Sequence, residues 1–323
     1  MTRSIVLVSS PMAINEPEPY VSHLRARGYD VVLRRPEGQE LHEEQLCEYS
    51  PDLVAIYAAD DHVTRRVIDE NPRLKVVCKW GVGIDSFDWP YCKERGISVR
   101  NTPGVHTQAM AEAACAYTLA LYKKIFEVDR MVRDKRWDKV RSHRFEGSTI
   151  GLVALGNIGR RTARMMSGWP VNLLGYDPDP EAMPDFPGRL VGRDELFSSA
   201  DCIVIMAPPK TDPRRIHTPG REPELDRVLP MIRPGALLVN VSRGAITPLA
   251  ALIEGLEKGI IESAALDVYE VEPLPLESRL RTDFADRVIF GAHTAYNCEG
   301  VVEKITRGTY EMLLDELGCP LTT

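Results

Sequence analysis

The sequence predicts an α/β protein built from two doubly wound domains with parallel sheets. Short apolar runs alternate with helix-compatible stretches over most of the 323 residues, a rhythm typical of parallel strands joined by helical crossovers. At residues 149–160 an apolar run breaks on glycines and continues as a helix. The chain is also longer than one average domain. We therefore expect one discontinuous domain from residues 1–103 and 295–323, and a second domain from residues 104–294.

The smaller domain is predicted from strand and helix patterns that alternate near the N-terminus. An amphipathic stretch at the other end of the chain, residues 301–317, is expected to pack on it. Both chain ends would then build this domain. The predicted strands are residues 5–8, 30–33, 53–57, 75–79 and 96–99, and the predicted helices are residues 20–27, 42–49 and 64–71.

The larger domain is predicted from six strand patterns, the number in a complete dinucleotide-binding domain. Residues 207–234 are rich in Pro, Arg and Asp and are longer than an ordinary connection, so we expect a loop with one short helix near residues 224–231. The predicted strands are residues 150–155, 172–176, 202–206, 236–241, 263–266 and 288–290.

One long helix is predicted over residues 108–133. It is rich in Ala, Leu and Met and carries few charges before Lys123. That composition is more apolar than a helix with one solvent-exposed face requires. We therefore expect this helix to be buried, either between domains or between subunits.

Composition and charge narrow the class of protein. A hydrophobic content of 44% and a formal net charge of −7 indicate a globular protein and argue against nucleic acid or an anionic membrane as a general partner. The seven cysteines include no Cys-x-x-Cys pair, which favours a reducing compartment over a disulfide framework or a zinc site. The apolar runs are too short for a membrane span or a signal-peptide core. We expect a cytoplasmic protein without a metal.

The glycine-broken run at residues 149–160 has the form of a phosphate-binding turn. Gly156 would let the backbone approach a pyrophosphate, and Gly159 would let the following helix pack on its strand. The position that usually holds the first glycine is Ala154, which makes the turn only with a negative or mildly strained φ. The alternative is an ordinary glycine-containing connection between a strand and a helix.

Asp177 strengthens the nucleotide interpretation. It ends the second strand pattern, 21 residues beyond Gly156, which is the spacing of an acid that binds the adenosine ribose. A carboxylate there accepts hydrogen bonds from the ribose hydroxyls and repels a 2′-phosphate. The pattern therefore predicts NAD rather than NADP, although an Asp-Pro loop without a ligand is the simpler alternative.

Three polar residues follow strand ends of the larger domain, namely Arg243, Glu272 and His293. Strand carboxyl ends meet at one edge of a doubly wound sheet, so we expect the three to share a crevice. An arginine, a carboxylate and a histidine suit reduction of a carbonyl beside a carboxylate. Taken singly, each residue has a structural explanation: a loop salt bridge, a solvated acid before proline, or a buried imidazole.

Together these motifs resemble the D-isomer-specific 2-hydroxyacid dehydrogenase family, whose relatives include phosphoglycerate, formate and phosphite dehydrogenases. The resemblance covers nearly the whole chain. The segments that carry it are residues 79–85, 101–104 with Ala111 and Glu112, 154–159, 240–244, 266–269 with Glu272 and Pro273, and Ala292 with His293.

The resemblance implies a Rossmann NAD-binding domain inserted into a smaller flavodoxin-like substrate domain. It implies hydride transfer between nicotinamide and a D-series 2-oxo or 2-hydroxy acid, and a homodimer formed through the helix near residues 108–133. Arg243 would bind the substrate carboxylate and keto oxygen, His293 would exchange the proton, and Glu272 would orient His293. The remaining implied contacts are the amides of Val82 and Gly83 with the carboxylate, Asp267 with the nicotinamide amide, and Thr107, Asn157, Ile158, Pro208 and Val241 along the cofactor.

The sequence also departs from the family pattern, at Ala154, His106, Thr294 and the long 207–234 loop. The expectation of a substrate with a second anionic group rests on His106, which follows the 101–104 crossover at the cleft mouth. It rests also on Arg100, Arg141 and Arg144, whose segments could approach that opening from the same subunit or from its dimer partner. Solvated arginines that play no part in binding are the alternative. A second functional class also fits the fold, namely a protein that senses NAD(H) in the manner of the related corepressors.

Overall fold

The computed structural model describes residues 3–38, 40–179, 181, 183–209 and 223–321. Within these ranges the chain forms two compact units. Unit 1 comprises residues 3–105 and 298–321, and unit 2 comprises residues 106–209 and 223–297. The sequence puts the corresponding boundaries two or three residues away, at 103 and 295. Both units are built on parallel sheets, which confirms the predicted fold class.

Unit 1 contains a sheet whose five described strands all run parallel. These strands are β1 (Ile5–Val8), β2 (Asp30–Leu33), β3 (Leu53–Ala58), β4 (Val76–Lys79) and β5 (Ser98–Arg100). Their spatial order is β2-β1-β3-β4-β5, which is the flavodoxin-like order. Strands β1, β3 and β4 are buried along their whole length, as a sheet covered by helices on both faces requires.

The helices of unit 1 include the predicted C-terminal one. Its Thr306 accepts hydrogen bonds from the Tyr57 hydroxyl, over 3.0 Å, and from Trp80 Nε1, over 2.9 Å. These contacts fasten the end of the chain to the sheet. Two short helices were not predicted, Pro11–Asn15 and Trp89–Glu94, because five or six residues carry little periodic signal. The helices are α1 (Pro11–Asn15), α2 (Tyr20–Ala26), α3 (Glu43–Cys47), α4 (Arg65–Glu70), α5 (Trp89–Glu94) and α13 (Val301–Glu316).

Unit 2 contains a parallel sheet with seven described strands. These are β6 (Thr149–Val153), β7 (Asn172–Tyr176), β8 (Arg189–Leu190), β9 (Cys202–Ile205), β10 (Ala236–Asn240), β11 (Ile261–Leu266) and β12 (Val288–Phe290). The spatial order of the strands is β12-β11-β10-β9-β6-β7-β8. From β6 the chain first adds β7 and β8 on one side, and then crosses over to add β9 to β12 on the other side. The crossover leaves a topological switch point between β6 and β9, and ligands bind at such points. The expectation of six strands missed β8, which has two exposed residues at the sheet edge and no apolar pattern.

The helices of unit 2 correct one prediction. The single helix expected over residues 108–133 is two helices, α6 (Thr107–Lys123) and α7 (Ile125–Arg133), separated by Lys124 in the left-handed region with φ 49°. Nine side chains of α6 are buried, whereas α7 exposes Ile125, Phe126, Val128 and Val132. The remaining helices are α8 (Asn157–Met166), α9 (Arg193–Ser199), α10 (Leu225–Val228), α11 (Leu249–Glu257) and α12 (Arg279–Thr282), with 3₁₀ turns at Leu229–Met231 and Gly244–Ile246.

The proline-rich 207–234 stretch lies partly outside the described residues. Residues 210–222 lie outside the described residues. In the described remainder, α10 and the 3₁₀ turn that follows it match the short helix predicted near residues 224–231. Within the described part of the chain, helices of membrane-spanning length and apolarity are absent.

Candidate active site

The predicted catalytic groups of unit 2 follow the carboxyl ends of its parallel strands. Arg243 follows β10, Glu272 follows β11 and His293 follows β12. The glycine turn follows β6 and Asp177 follows β7. Because these strands are parallel, all five positions lie on the same edge of one sheet.

The turn after β6 brings a helix N-terminus close to its strand. A Cβ built at Gly159 would lie 2.0 Å from the Ala154 carbonyl oxygen, so only glycine permits this approach. Gly156 caps α8 with extended backbone, and a Cβ there would meet nothing within 4 Å. Gly156 and Asn157 are exposed. The first amides of α8 are thus available to an anion such as a pyrophosphate.

Ala154 adopts the conformation that the sequence marked as strained. Its φ is 71°, in the left-handed region where an alanine is less stable than glycine by about 1–2 kcal/mol. Its amide donates to the Tyr176 carbonyl over 2.8 Å, which ties the turn to the end of β7. The position thus has a backbone conformation that glycine adopts readily, although it holds an alanine.

Asp177 is bound to the turn that it was predicted to accompany. Its Oδ2 accepts a hydrogen bond from the Leu155 amide over 2.6 Å, and its Oδ1 accepts one from the Asp179 amide over 2.9 Å. Each carboxylate oxygen can accept further hydrogen bonds. The side chain is half-buried, so it is held firmly beside the turn while it remains accessible to ribose hydroxyls.

His293 and Glu272 form a direct pair. The distance from His293 Nδ1 to Glu272 Oε2 is 2.7 Å, and both side chains are largely buried, with exposures of 26% and 18%. The other oxygen of Glu272 accepts the Tyr269 amide over 2.9 Å. The carboxylate is thus fixed at both oxygens, and it holds one imidazole nitrogen in a defined direction.

The loop that carries Arg243 is braced by buried Asn240. The Asn240 side-chain amide donates to the Arg243 carbonyl over 2.9 Å, and its oxygen accepts the Ser242 amide over 2.9 Å. A Cβ at Gly244 would lie 1.9 Å from the Tyr269 carbonyl carbon. The loop after β10 therefore packs directly on the backbone segment that positions Glu272.

Asp267 braces the segment that carries His293. Its Oδ1 accepts the Thr294 amide over 3.1 Å and the Tyr117 hydroxyl over 3.3 Å, and its Oδ2 accepts the Ala295 amide over 2.9 Å. Burial and the neighbouring Asp267 carboxylate raise the pKa of Tyr117 to about 12, so this hydroxyl remains a donor. The predicted nicotinamide contact of Asp267 would use the remaining acceptor capacity of Oδ2.

Comparison with known proteins gives consistent matches over the chain. The model of the D-isomer specific 2-hydroxyacid dehydrogenase NAD binding domain matches residues 115–295. Glyoxylate reductase from Thermofilum pendens is 34% identical over 291 residues, which cover 86% of this chain and 82% of that protein. The chain belongs to the D-isomer specific 2-hydroxyacid dehydrogenase family.

Two further likenesses agree with this membership of the 2-hydroxyacid dehydrogenase family. Hydroxypyruvate reductase from Thermotoga maritima is 29% identical, with coverage of 87% of this chain and 90% of that protein. The solved NAD-dependent formate dehydrogenase from Staphylococcus aureus, in complex with NAD, has a TM-score of 0.80 and 25% identity over 98% of this chain and 97% of that one. The protein is thus an NAD-dependent oxidoreductase that transfers hydride between nicotinamide and a 2-oxo or 2-hydroxy acid, and the predicted cofactor is confirmed.

The other residues that the family resemblance selected lie in both units. Thr107 opens α6, next to Gln108, which accepts a hydrogen bond from Arg161 on α8. Pro208 is exposed after β9, and Val241 is buried after β10. Val82 and Gly83 follow β4 in unit 1, where the Val82 carbonyl accepts Asn101 Nδ2 over 2.7 Å.

Of the arginines behind the second-anion expectation, one is paired within unit 1 and another lies beside a cavity of unit 2. Arg100 pairs with Glu316 over 2.6 Å in unit 1. Arg144 lines a cavity with Gly147, Asp201 and Gly235, which precede the amino ends of β6, β9 and β10. That is the sheet edge opposite to the catalytic groups of the same chain.

Three supporting residues of this dehydrogenase site were not assigned a role from the sequence: Asn240, Tyr117 and Gly291. A Cβ at Gly291 would lie 2.3 Å from Asp267 Oδ1 and 2.5 Å from the Tyr117 hydroxyl. The signals available in the sequence were a polar residue that ends a buried strand and a glycine two residues before His293. Tyr117 lies 150 residues before its partner Asp267, so sequence spacing alone does not reveal this contact.

Proposed function

We propose that this dehydrogenase reduces a short 2-oxo acid with a single carboxylate, using Arg243, Glu272 and His293. The observation that carries the proposal is the 2.7 Å contact between His293 Nδ1 and Glu272 Oε2. The carboxylate holds the imidazole through Nδ1, which leaves Nε2 to pass a proton to the substrate oxygen. NADH supplies the hydride.

Arg243 complements this proton donor. A guanidinium stays charged at all physiological pH values and binds carboxylates through two parallel hydrogen bonds. It would fix the substrate carboxylate and stabilise the charge that develops on the keto oxygen without competing for the proton of His293. Val82 and Gly83 remain proposed donors to the substrate carboxylate on the family resemblance.

The preference for one carboxylate is supported by the two relatives compared above, of which this chain covers 82% and 90%, and by the placement of two arginines. Relatives named for 3-phosphoglycerate, an acid that also carries a phosphate, are covered over only 49% of their length. The two relatives compared above are named for glyoxylate and hydroxypyruvate, each of which carries one carboxylate. Arg100 is committed to Glu316, and Arg144 lies at the opposite sheet edge. Within one chain, these placements leave less support for a second anionic group.

A substrate panel with NADH tests the proposal. The kcat/KM values for glyoxylate, hydroxypyruvate and pyruvate should exceed those for oxaloacetate and phosphohydroxypyruvate, measured by the loss of NADH absorbance. A preference for a two-anion acid that weakens with added salt would support the second-anion expectation instead. NADH binding without turnover of any acid would favour the sensing function.

Cofactor choice is expected to depend on Asp177. Asp177→Ser should lower the affinity for NADH by roughly ten- to hundredfold, because a hydrogen bond to a charged group contributes about 1.5–3 kcal/mol. The relative efficiency with NADPH should rise, since repulsion of the 2′-phosphate is removed. Steady-state kinetics with both cofactors measures this. Asp179→Ser, a change at a neighbouring acid, is the control, and a wild-type enzyme that uses NADPH as well as NADH would refute the assignment.

Turnover is expected to depend on Glu272. In Glu272→Gln the single side-chain oxygen can accept the Tyr269 amide, which leaves an NH₂ group facing His293 Nδ1. An NH₂ group donates where the carboxylate accepted, so the imidazole loses the acceptor that holds Nδ1 in place. The kcat for reduction should fall by at least roughly tenfold, whereas the affinity for NADH should be unchanged. Glu270→Gln should leave kcat unchanged, and a Glu272→Gln variant with wild-type kcat would make Glu272 a structural residue only.

We further propose that the enzyme is a homodimer and that α7 carries the contact. Ile125 and Phe126 are each 52% exposed, and adjacent exposed apolar side chains of this kind mark interaction surfaces. Phe126→Glu should convert a dimer to a monomer in light scattering or sedimentation. Leu276→Glu changes a more exposed apolar residue outside α7 and should leave the dimer intact. A wild-type monomer, or a dimer that survives Phe126→Glu, would contradict this assignment.

A further inference from the structure

Two histidines and a glutamate converge near the carboxyl edge of the unit 1 sheet. Among the residues that the structure describes, Glu40, His42 and His62 each offer a ligand atom, and these atoms lie within 4.8 Å of one another. Glu40 Oε1 is 3.1 Å from His62 Nε2 and 3.9 Å from His42 Nδ1. The two imidazole rings meet edge to face, with centroids 5.1 Å apart. One carboxylate oxygen is thus flanked by two imidazole nitrogens.

The two segments that carry these side chains are fastened together through their backbones. The His62 amide donates to the Leu41 carbonyl over 2.9 Å, and the Leu41 amide donates to Oδ1 of buried Asp61 over 2.8 Å. Asp61 also accepts the Ser9 hydroxyl, and the Leu41 side chain lies in the hydrophobic core. The fold therefore sets the separation of the three side chains, although Glu40 and His62 are far apart in the sequence.

The donor set and its spacing suit a transition-metal ion. Zinc–ligand distances of about 2.0–2.2 Å in a tetrahedron place ligand atoms roughly 3.3–3.6 Å apart. The two distances to Glu40 Oε1, 3.1 and 3.9 Å, lie on either side of that range. Because His42 and His62 are 61% and 43% exposed, small rotations can close the remaining difference. Two imidazoles and one carboxylate favour zinc, nickel, cobalt or copper over magnesium or calcium.

We propose that Glu40, His42 and His62 bind one divalent transition-metal ion, with zinc as the expected occupant and water at the remaining position. Each imidazole presents a lone pair to the ion and keeps its proton on the other ring nitrogen. The ion links the segment after β2 to the segment after β3. That second segment is also tied to β4 by the 3.0 Å pair between Asp60 and Lys79.

The test uses the full-length, untagged protein, treated with chelator and dialysed. Titration calorimetry with ZnCl₂ measures affinity and stoichiometry near neutral pH, and CoCl₂ gives a visible absorption spectrum that reports nitrogen and oxygen ligands. Wild type is compared with His62→Ala, His42→Ala and Glu40→Gln. The matched control is His143→Ala, because His143 also faces a carboxylate, with Nε2 3.1 Å from Glu262. Among the residues that the structure describes, it belongs to no group of three such ligands.

Wild type and His143→Ala should bind one zinc ion with equal affinity and gain thermal stability in its presence. The three site variants should bind zinc at least roughly tenfold more weakly, a loss that even supporting residues of metal sites can cause. Glu40→Gln preserves side-chain shape and so separates a lost ligand from a lost fold. The proposal is overturned if wild type binds no zinc in the micromolar range, if the site variants bind like wild type, or if the cobalt spectrum shows sulfur ligands.

Discussion

His293→Ala should lower turnover by roughly two to four decades, the usual contribution of a positioned general acid. The corresponding rise in the activation barrier is about 3–5 kcal/mol. NAD affinity should be unchanged, because the glycine turn and Asp177 follow β6 and β7, whereas His293 follows β12. Single-turnover reduction of the preferred 2-oxo acid measures the first quantity, and NADH fluorescence measures the second.

A second histidine–glutamate pair in unit 2 offers a matched control for this prediction. His143 faces Glu262 near the amino end of β11, whereas Glu272, the partner of His293, follows the carboxyl end of β11. His143→Ala removes an imidazole from a second histidine–glutamate pair and should retain turnover. If His293→Ala turns over like the wild type, or if both variants lose activity equally, the assignment of His293 as the acid is wrong.

Gly159→Ala should destabilise unit 2 and abolish tight binding of NAD. The new methyl group would lie 2.0 Å from the Ala154 carbonyl oxygen, so α8 must move away from β6. Overpacking of this kind costs about 1–3 kcal/mol, and displacement of the helix N-terminus removes its amides from the pyrophosphate. Urea unfolding and calorimetric titration with NADH measure the two effects.

Variants at two other glycines near α8 distinguish displacement of the helix from loss of a pyrophosphate contact and from a general effect of replacing glycine. Gly168 lies just past α8, and a Cβ there would meet nothing within 4 Å. Gly168→Ala should change neither stability nor NADH affinity appreciably. Gly156→Ala should fold normally and bind NADH more weakly, because its Cβ has space in the protein but faces the expected pyrophosphate position. Wild-type stability and affinity in Gly159→Ala would refute the close-approach explanation.

The sequence was most informative where the chemistry is local. The spacing from Gly156 to Asp177 spans one strand–helix–strand unit, and the structure joins its two ends through the 2.6 Å bond from the Leu155 amide to Asp177. The sequence also grouped Arg243, Glu272 and His293, because parallel strands bring their carboxyl ends to one edge. Such predictions hold in the folded protein, because the direction of the strands determines which strand ends lie at the same edge of the sheet.

The helix over residues 108–133 shows where local patterns were insufficient. Lys123 and Lys124 carry no helix-breaking signal, yet Lys124 adopts φ 49° and ends α6. In unit 2 the residues on either side make different contacts. The α6 helix packs on α8, and α7 is held by Arg130, which donates to the Ala285 carbonyl over 2.8 Å. Tertiary contacts of this type override helix propensity, which contributes only tenths of a kcal/mol per residue.

By itself the sequence predicted the fold class and the NAD cofactor, and it selected the glycine turn and the three candidate catalytic residues, because each depends on short spacings and on the direction of parallel strands. The tertiary structure alone decided the left-handed backbone of Ala154, the buried supports at Asn240, Asp267 and Tyr117, and the meeting of Glu40 with His62. These features arise between segments that are remote in the chain. Their geometry is set by packing and by the need to satisfy buried polar groups, which a pattern of neighbouring residues does not record.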